Sequence, residues 1–204
     1  MTLKNIISEI TEKLDDIDRD REDILKISRE MVRHCSIAIK SIHRKDFDVY
    51  HDKIKEIKSN HENLLTYVKK NPMMFSGYIR TPEQEYVEAL CLFAIINDQD
   101  LPRPTDYNVN DINYLLGLAD VIGELRRYIL DKIRRDEIDD LEKILDTMSE
   151  IYSHLFAVDY PKGITQDLRR KTDVARGIIE KTRGDISLSL QINRLNKNLI
   201  DQQK

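Results

Sequence analysis

Apolar residues recur at helical spacing along nearly the whole chain, and no strand-like alternation flanked by hairpin turns interrupts them. The pattern predicts a long first helix from about Leu3 to Lys45 and a second from about Asp46 to Lys70. A third is predicted over about Pro82 to Ile96, a fourth over about Val109 to Arg135, and a fifth over about Glu137 to Val158. A sixth runs from Thr165 to Arg183, and a short last helix ends near Ile200. Pro72 and Gly77 mark one break, Asn97 to Pro104 reads as loop, and Tyr160-Pro161-Lys162-Gly163 and Arg183-Gly184-Asp185 read as the last two turns. No internal repeat or low-complexity linker divides the chain. The expectation is one all-α domain over residues 1–204, a bundle of about seven helices.

Composition agrees with this pattern. Of 204 residues, 34% are charged and 40% apolar, with 6 Gly and 5 Pro, the balance of a soluble and mostly helical protein. No stretch approaches the roughly 18 apolar residues of a membrane span. The N-terminus lacks the basic-then-apolar pattern of a signal peptide, so a cytoplasmic location with no membrane partner is expected. Cys35 and Cys91 have no neighbouring Cys or His at metal-finger spacing and read as reduced core residues. A net charge of −4 leaves room for a basic surface only as a local feature.

Two pairs of acids stand out because they sit inside the most apolar stretches. Glu85 and Glu88 are three positions apart, Asp120 and Glu124 four, and either spacing puts both side chains on one helical face. Four carboxylates converging from two helices repel one another unless a divalent cation neutralises them. A hard, oxygen-seeking ion such as Mg²⁺ or Mn²⁺ suits such a set, and sites of this kind hydrolyse phosphodiesters. The stripe through Glu85 and Glu88 continues to Leu92 in Ala89-Leu90-Cys91-Leu92-Phe93-Ala94-Ile95-Ile96, a helix apolar on every side. The second pair is more ambiguous. Leu115, Leu118, Ala119, Ile122, Leu125 and Ile129 form an apolar arc, with Asn113, Gly117, Asp120, Glu124, Arg127 and Asp131 opposite, so an ordinary solvated face is the alternative. Gly117 and Gly123 within this helix suggest a close approach to its backbone.

Lys26, Arg29, Arg33, Lys40 and Arg44 fall within a narrow arc of the first helix, with His43 beside it. Such a row can track a phosphate backbone with little base reading. The alternative is a solvated face balanced by Glu22 and Glu30. Arg126-Arg127, Arg134-Arg135 and Arg169-Arg170-Lys171 are short clusters, and no aromatic residues interleave with the stripe. The sequence has no Gly-rich phosphate loop, dinucleotide fingerprint, Gly-x-Ser-x-Gly elbow or paired-histidine zinc motif.

Gln84-Glu85-Tyr86-Val87-Glu88-Ala89, followed by Tyr114-Leu115-Leu116-Gly117-Leu118-Ala119-Asp120-Val121-Ile122-Gly123-Glu124-Leu125, resembles the translin/TRAX family. The TRAX branch and its archaeal homologues are nearer than translin itself. Lys26-Ile27-Ser28-Arg29, His43-Arg44 and Arg183-Gly184 add to the resemblance, which spans nearly the whole chain. It implies a seven-helix subunit that assembles into a hollow octamer, here a homo-octamer. It also implies a metal-dependent endoribonuclease site facing the interior, with catalytic and metal-binding acids at Glu85, Glu88, Asp120 and Glu124 and Mg²⁺ or Mn²⁺ as cofactor. The expected substrate is single-stranded RNA, with single-stranded DNA bound but cut poorly. Lys26, Arg29, Arg33, Lys40, Arg44 and Arg127 are the expected nucleic-acid contacts, Arg33 and Lys40 lying outside the clear family pattern. Two other readings compete: a translin-like shell that binds single strands without cutting, and a helical scaffold that binds none.

Overall fold

The computed structural model describes residues 2–201, and every regular element among them is helical. The helices are α1 (Leu3–His43), α2 (Phe47–Lys70), α3 (Pro72–Ile96), α4 (Asp111–Ile133), α5 (Leu141–Phe156), α6 (Lys162–Thr165) and α7 (Leu168–Asp201), with a short 3-10 turn at Pro104–Tyr107. Among the described residues, no helix is long and apolar enough to cross a membrane. The chain divides into two compact units, residues 1–89 and 90–204, with the division falling within α3.

In the first unit, α1 and α2 form a helical hairpin. Tyr50, Ile57 and Leu64 of α2 recur every seven residues and are buried, as are Met31, Cys35, Ala38 and Ile42 of α1. This is the spacing of two antiparallel helices packed along a shared seam. The hairpin turn closes α1 with Lys45 N–H on the Ile42 carbonyl at 3.0 Å and Asp46 N–H on the Ser41 carbonyl at 2.9 Å. That is a Schellman ending with a lysine, φ 59°, at the left-handed position usually given to glycine. Asp46 then caps α2, its carboxylate accepting from Val49 N–H at 3.4 Å.

The joint between α2 and α3 is a single residue. The side chain of Asn71 accepts from Met74 N–H at 3.3 Å, and Pro72 occupies the first helical position, where its missing N–H costs nothing. The expected break at Pro72 is therefore present, but the helix expected to begin at about Pro82 begins at Pro72 instead, so Gly77 and Pro82 lie inside a continuous α3. Pro82 has no N–H to offer the Tyr78 carbonyl four residues back. The Ser28 hydroxyl of α1 donates to that carbonyl at 3.1 Å and replaces the missing bond.

In the second unit, α4 packs on α5 and α7, and α5 on α7. Its core comprises Leu116, Val121, Ile122, Leu125 and Ile129 of α4, Leu141, Met148 and Leu155 of α5, and Leu168, Ala175, Ile179 and Ile186 of α7. Asn110 caps α4, accepting from Ile112 and Asn113 N–H at 3.0 and 3.3 Å. The turn expected at Arg183-Gly184-Asp185 is absent, and α7 runs straight through it. Arg126 of α4 bridges that point, donating to the Thr182 hydroxyl at 3.0 Å and pairing with Asp185 at 2.8 Å. Among the described residues seven α-helices are present, in line with the expectation of about seven, but the last two are a four-residue α6 and one long α7.

Candidate nucleic-acid and metal site

Glu85 and Glu88 lie on α3 in the first unit, each half-buried and flanked by fully buried Tyr86, Val87 and Ala89. Their placement leaves an electrostatic mark on α1. Burial, and then the negative charges of Glu85 and Glu88, hold the Cys35 thiol well above its ordinary range. Both cysteines are buried free thiols, as expected. Burial also raises Cys91, to about 12.

Glu83, two positions before the pair, is the more deeply buried acid. Its Oε1 stands 2.9 Å from His61 Nε2 of α2, and both side chains are 2% exposed. The Tyr86 ring meets the His61 ring edge-on at 5.8 Å between centroids. Nothing in the spacing of the acidic motif singles Glu83 out. It is the acid that ties α3 to α2, which leaves Glu85 and Glu88 as the partly accessible members of the motif.

In the second unit, α4 is buried on a wider and rotated face than its apolar arc suggests. Asn113 and Gly117, expected on the polar arc, are buried, while Leu115 and Leu118 are only half-buried. Helices α5 and α7 together cover that wider face. Asp120 and Glu124 are consequently part-covered, with side chains 38% and 23% exposed, and are not an ordinary solvated face. Each has a cation beside it. Arg127 meets Glu124 at 3.4 Å within the helix, and Lys171 of α7 bonds directly to Asp120 while donating to the Leu116 carbonyl at 3.3 Å. The close backbone approach expected at Gly123 is not present: a Cβ there would meet nothing within 4 Å. In a helix interior that glycine still costs about 1 kcal/mol relative to alanine.

The two pairs are chemically suited to a hard cation, offering carboxylate oxygens without nitrogen or sulfur competitors. At Asp120 the Lys171 ammonium already supplies positive charge where such an ion would supply it. Among the described residues, neither unit gathers three or more His, Cys, Asp or Glu side chains into a metal-holding cluster. Each unit contributes one pair.

Lys26, Arg29, Arg33, Lys40 and Arg44 are all exposed, and their row spans about 27 Å of α1 at 1.5 Å per residue. Arg29 also donates to the Leu25 carbonyl at 3.0 Å, and Arg33 lies 3.6 Å from Glu30. His43, expected beside the stripe, is instead buried beneath it. Arg126 is occupied by Thr182 and Asp185, whereas Arg127 is exposed. The short cluster Arg169-Arg170-Lys171 holds what the sequence reading missed, the Lys171 partner of Asp120. Only the packing of α7 on α4 makes that pairing legible.

The profile of the Translin family matches residues 18–183. The chain belongs to that family. It is 41% identical over 185 residues to an uncharacterised protein of Methanocaldococcus jannaschii, covering 89% of this chain and 82% of that protein. It is 25% identical over 203 residues to the translin-associated protein X homologue of Schizosaccharomyces pombe, covering 90% and 84%. Among solved structures it is similar to AfC3PO in a complex with duplex RNA, with a TM-score of 0.84, 30% identity, and coverage of 93% of this chain and 98% of that one. Translin-family membership and the all-helical subunit are thus as the sequence motifs imply.

Proposed function

We propose that the protein is a metal-dependent endoribonuclease that binds single-stranded RNA and cuts it with the help of Glu85, Glu88, Asp120 and Glu124. The observation carrying this reading is that Asp120 and Glu124 stand one turn apart on α4 as two part-covered carboxylates, with Glu85 and Glu88 half-buried one turn apart on α3. The family supplies the context, since a similar solved structure is a complex with duplex RNA. Mg²⁺ or Mn²⁺, when bound, would lower the pKa of a coordinated water and stabilise charge on the phosphodiester. The chain's own part is to present oxygen donors on two helical faces and keep them partly desolvated, which strengthens their hold on a cation. Lys26, Arg29 and Arg44, supported by Arg33, Lys40 and Arg127, bind the phosphate backbone without reading bases.

A homo-octamer is the assembly we infer. Leu3, Ile7, Ile10 and Leu14 at the start of α1, and Leu188, Ile192, Leu195 and Leu199 near the end of α7, follow the alternating three- and four-residue spacing of a coiled-coil seam. All eight are exposed in the single chain, and contiguous apolar surface of that kind marks a contact with another chain.

Purified protein should cleave a short single-stranded RNA in Mg²⁺ or Mn²⁺ and leave it intact in EDTA. Salt-sensitive binding with no metal-dependent product would instead favour a second reading, a shell that binds single-stranded RNA or DNA without cutting.

A further inference from the structure

A hollow of about 260 Å³ opens on the second unit, between α4 and α7, beside Asp120. Gly123 makes one wall, Arg170 and Lys171 stand along another, and Val174 and Ile178 contribute apolar surface. Three features are unexplained by the fold. Gly123 sits mid-helix with no atom near enough to forbid a side chain, so packing within the chain does not require a glycine. Val174, which lines the hollow, is half exposed. Arg170, with Asp167 no nearer than 3.9 Å, is largely exposed beside Lys171, whose own charge is taken by Asp120. Of the charged residues that line the hollow, Arg170 and Lys171 are cations and Asp120 is a carboxylate, with Asp167 outside the lining as the partner of Arg170.

We propose that this hollow seats one nucleotide of a single-stranded RNA, with the base against Val174 and Ile178 and the phosphate at Arg170. The volume lies just below the range of about 300–1,000 Å³ typical of small-molecule sites, which suits a single planar base. An apolar floor next to a largely exposed guanidinium, held only by Asp167 at 3.9 Å, matches a ligand that is flat and apolar at one end and anionic at the other. The missing side chain at Gly123 supplies the space. The seat rests on the RNA-binding reading above and adds to it a strand position next to Asp120.

The test is the affinity of the full-length protein for a short fluorescein-labelled oligouridylate, read by anisotropy in EDTA across a salt series. Gly123→Leu should fill the hollow and weaken binding at least tenfold, with the melting temperature no lower than the parent's and the assembly mass unchanged. Arg170→Gln should weaken binding severalfold and flatten the salt dependence by about 0.7 in log–log slope, the contribution of one phosphate on a single strand. Parent-like affinity in Gly123→Leu overturns the seat, and so does loss of assembly mass, which would make a neighbouring subunit the occupant. If Gly123→Leu does not fold, an unchanged salt slope in Arg170→Gln overturns it. A parent protein that binds no RNA removes the RNA reading and the seat together, whereas indifference of the variants removes the seat alone.

Discussion

Ser28 on α1 donates its hydroxyl to the Tyr78 carbonyl on α3 at 3.1 Å, and Tyr78 is the residue whose helical partner would be the absent N–H of Pro82. A proline inside a helix removes one bond and strains the turn before it. Here the removed bond is rebuilt from a neighbouring helix, so α3 runs unbroken from Pro72 to Ile96. Ser28 lies within the Lys26–Arg29 stretch that matches the family, and this contact gives it a structural role distinct from its basic neighbours.

Ser28→Ala should therefore destabilise the protein by about 1–2 kcal/mol, because it leaves a part-buried carbonyl unserved. In a Pro82→Ala background the backbone N–H returns and the same substitution should cost much less. Urea denaturation of the four proteins in the cycle should give a coupling of about 1 kcal/mol. Additive effects would mean that the hydroxyl does not substitute for the lost bond.

The His61–Glu83 pair is 2% exposed on both sides, so removing one partner strands the other in the core. Glu83→Ala should cost about 3–5 kcal/mol. Replacing both residues by leucine should cost less than the two single changes added together. Thermal unfolding of the three variants distinguishes this from an ordinary packing loss, which would simply add.

Lys45 holds φ 59° at the end of α1, where a side chain is strained and glycine is not. Lys45→Gly should raise stability by about 0.5–1 kcal/mol, visible as a higher midpoint in urea. A fall would show that the lysine side chain makes a contact worth more than the backbone strain.

An alkaline loss of stability follows from three groups. Burial raises Cys35 well above its ordinary value and Cys91 to about 12. Burial works to lower Lys132, but the hydrogen bond and charge of Asp140, 2.8 Å away, outweigh it and leave that group raised as well. Each binds its proton more tightly folded than unfolded, so its contribution is complete below the unfolded pKa and lost as pH rises through the folded one. Stability should be flat in these groups up to about pH 8.5 and decline above it, first through the thiols and then, past about pH 10.4, through Lys132. The cysteines should resist a thiol reagent at pH 8 in the native protein and react at once in denaturant. Prompt reaction of the native protein would contradict the burial argument.

The helices were legible in the sequence wherever propensity and local caps decided them. Asp46 and Asn110 mark helix starts close to where the sequence places them, through side-chain bonds to the first turn, whereas Asn71 and Pro72 start α3 well before the expected Pro82. The misplaced breaks have a common cause. Three helices end on Lys45, Asp98 and Asp136 in left-handed conformation, while Gly77, Gly123 and Gly184 sit inside helices with no positive φ. The usual punctuation is thus reversed, and tertiary bonds such as Arg126 to Thr182 and Asp185 hold the helix through positions that read as turns. At the candidate site, the acidic spacing was visible in the sequence. The covering of Asp120 by Lys171 was not, because it depends on two helices 51 residues apart meeting.

The central claim is that the acidic motifs cut RNA, and cleavage of an end-labelled single-stranded RNA by the parent, Glu88→Gln and Asp120→Asn proteins in Mg²⁺ and in EDTA tests it most directly. Both variants should fold and assemble like the parent and bind the RNA, yet lose at least 100-fold in cleavage rate, matching the parent in EDTA. Cleavage at the parent rate by folded Glu88→Gln and Asp120→Asn would contradict the account.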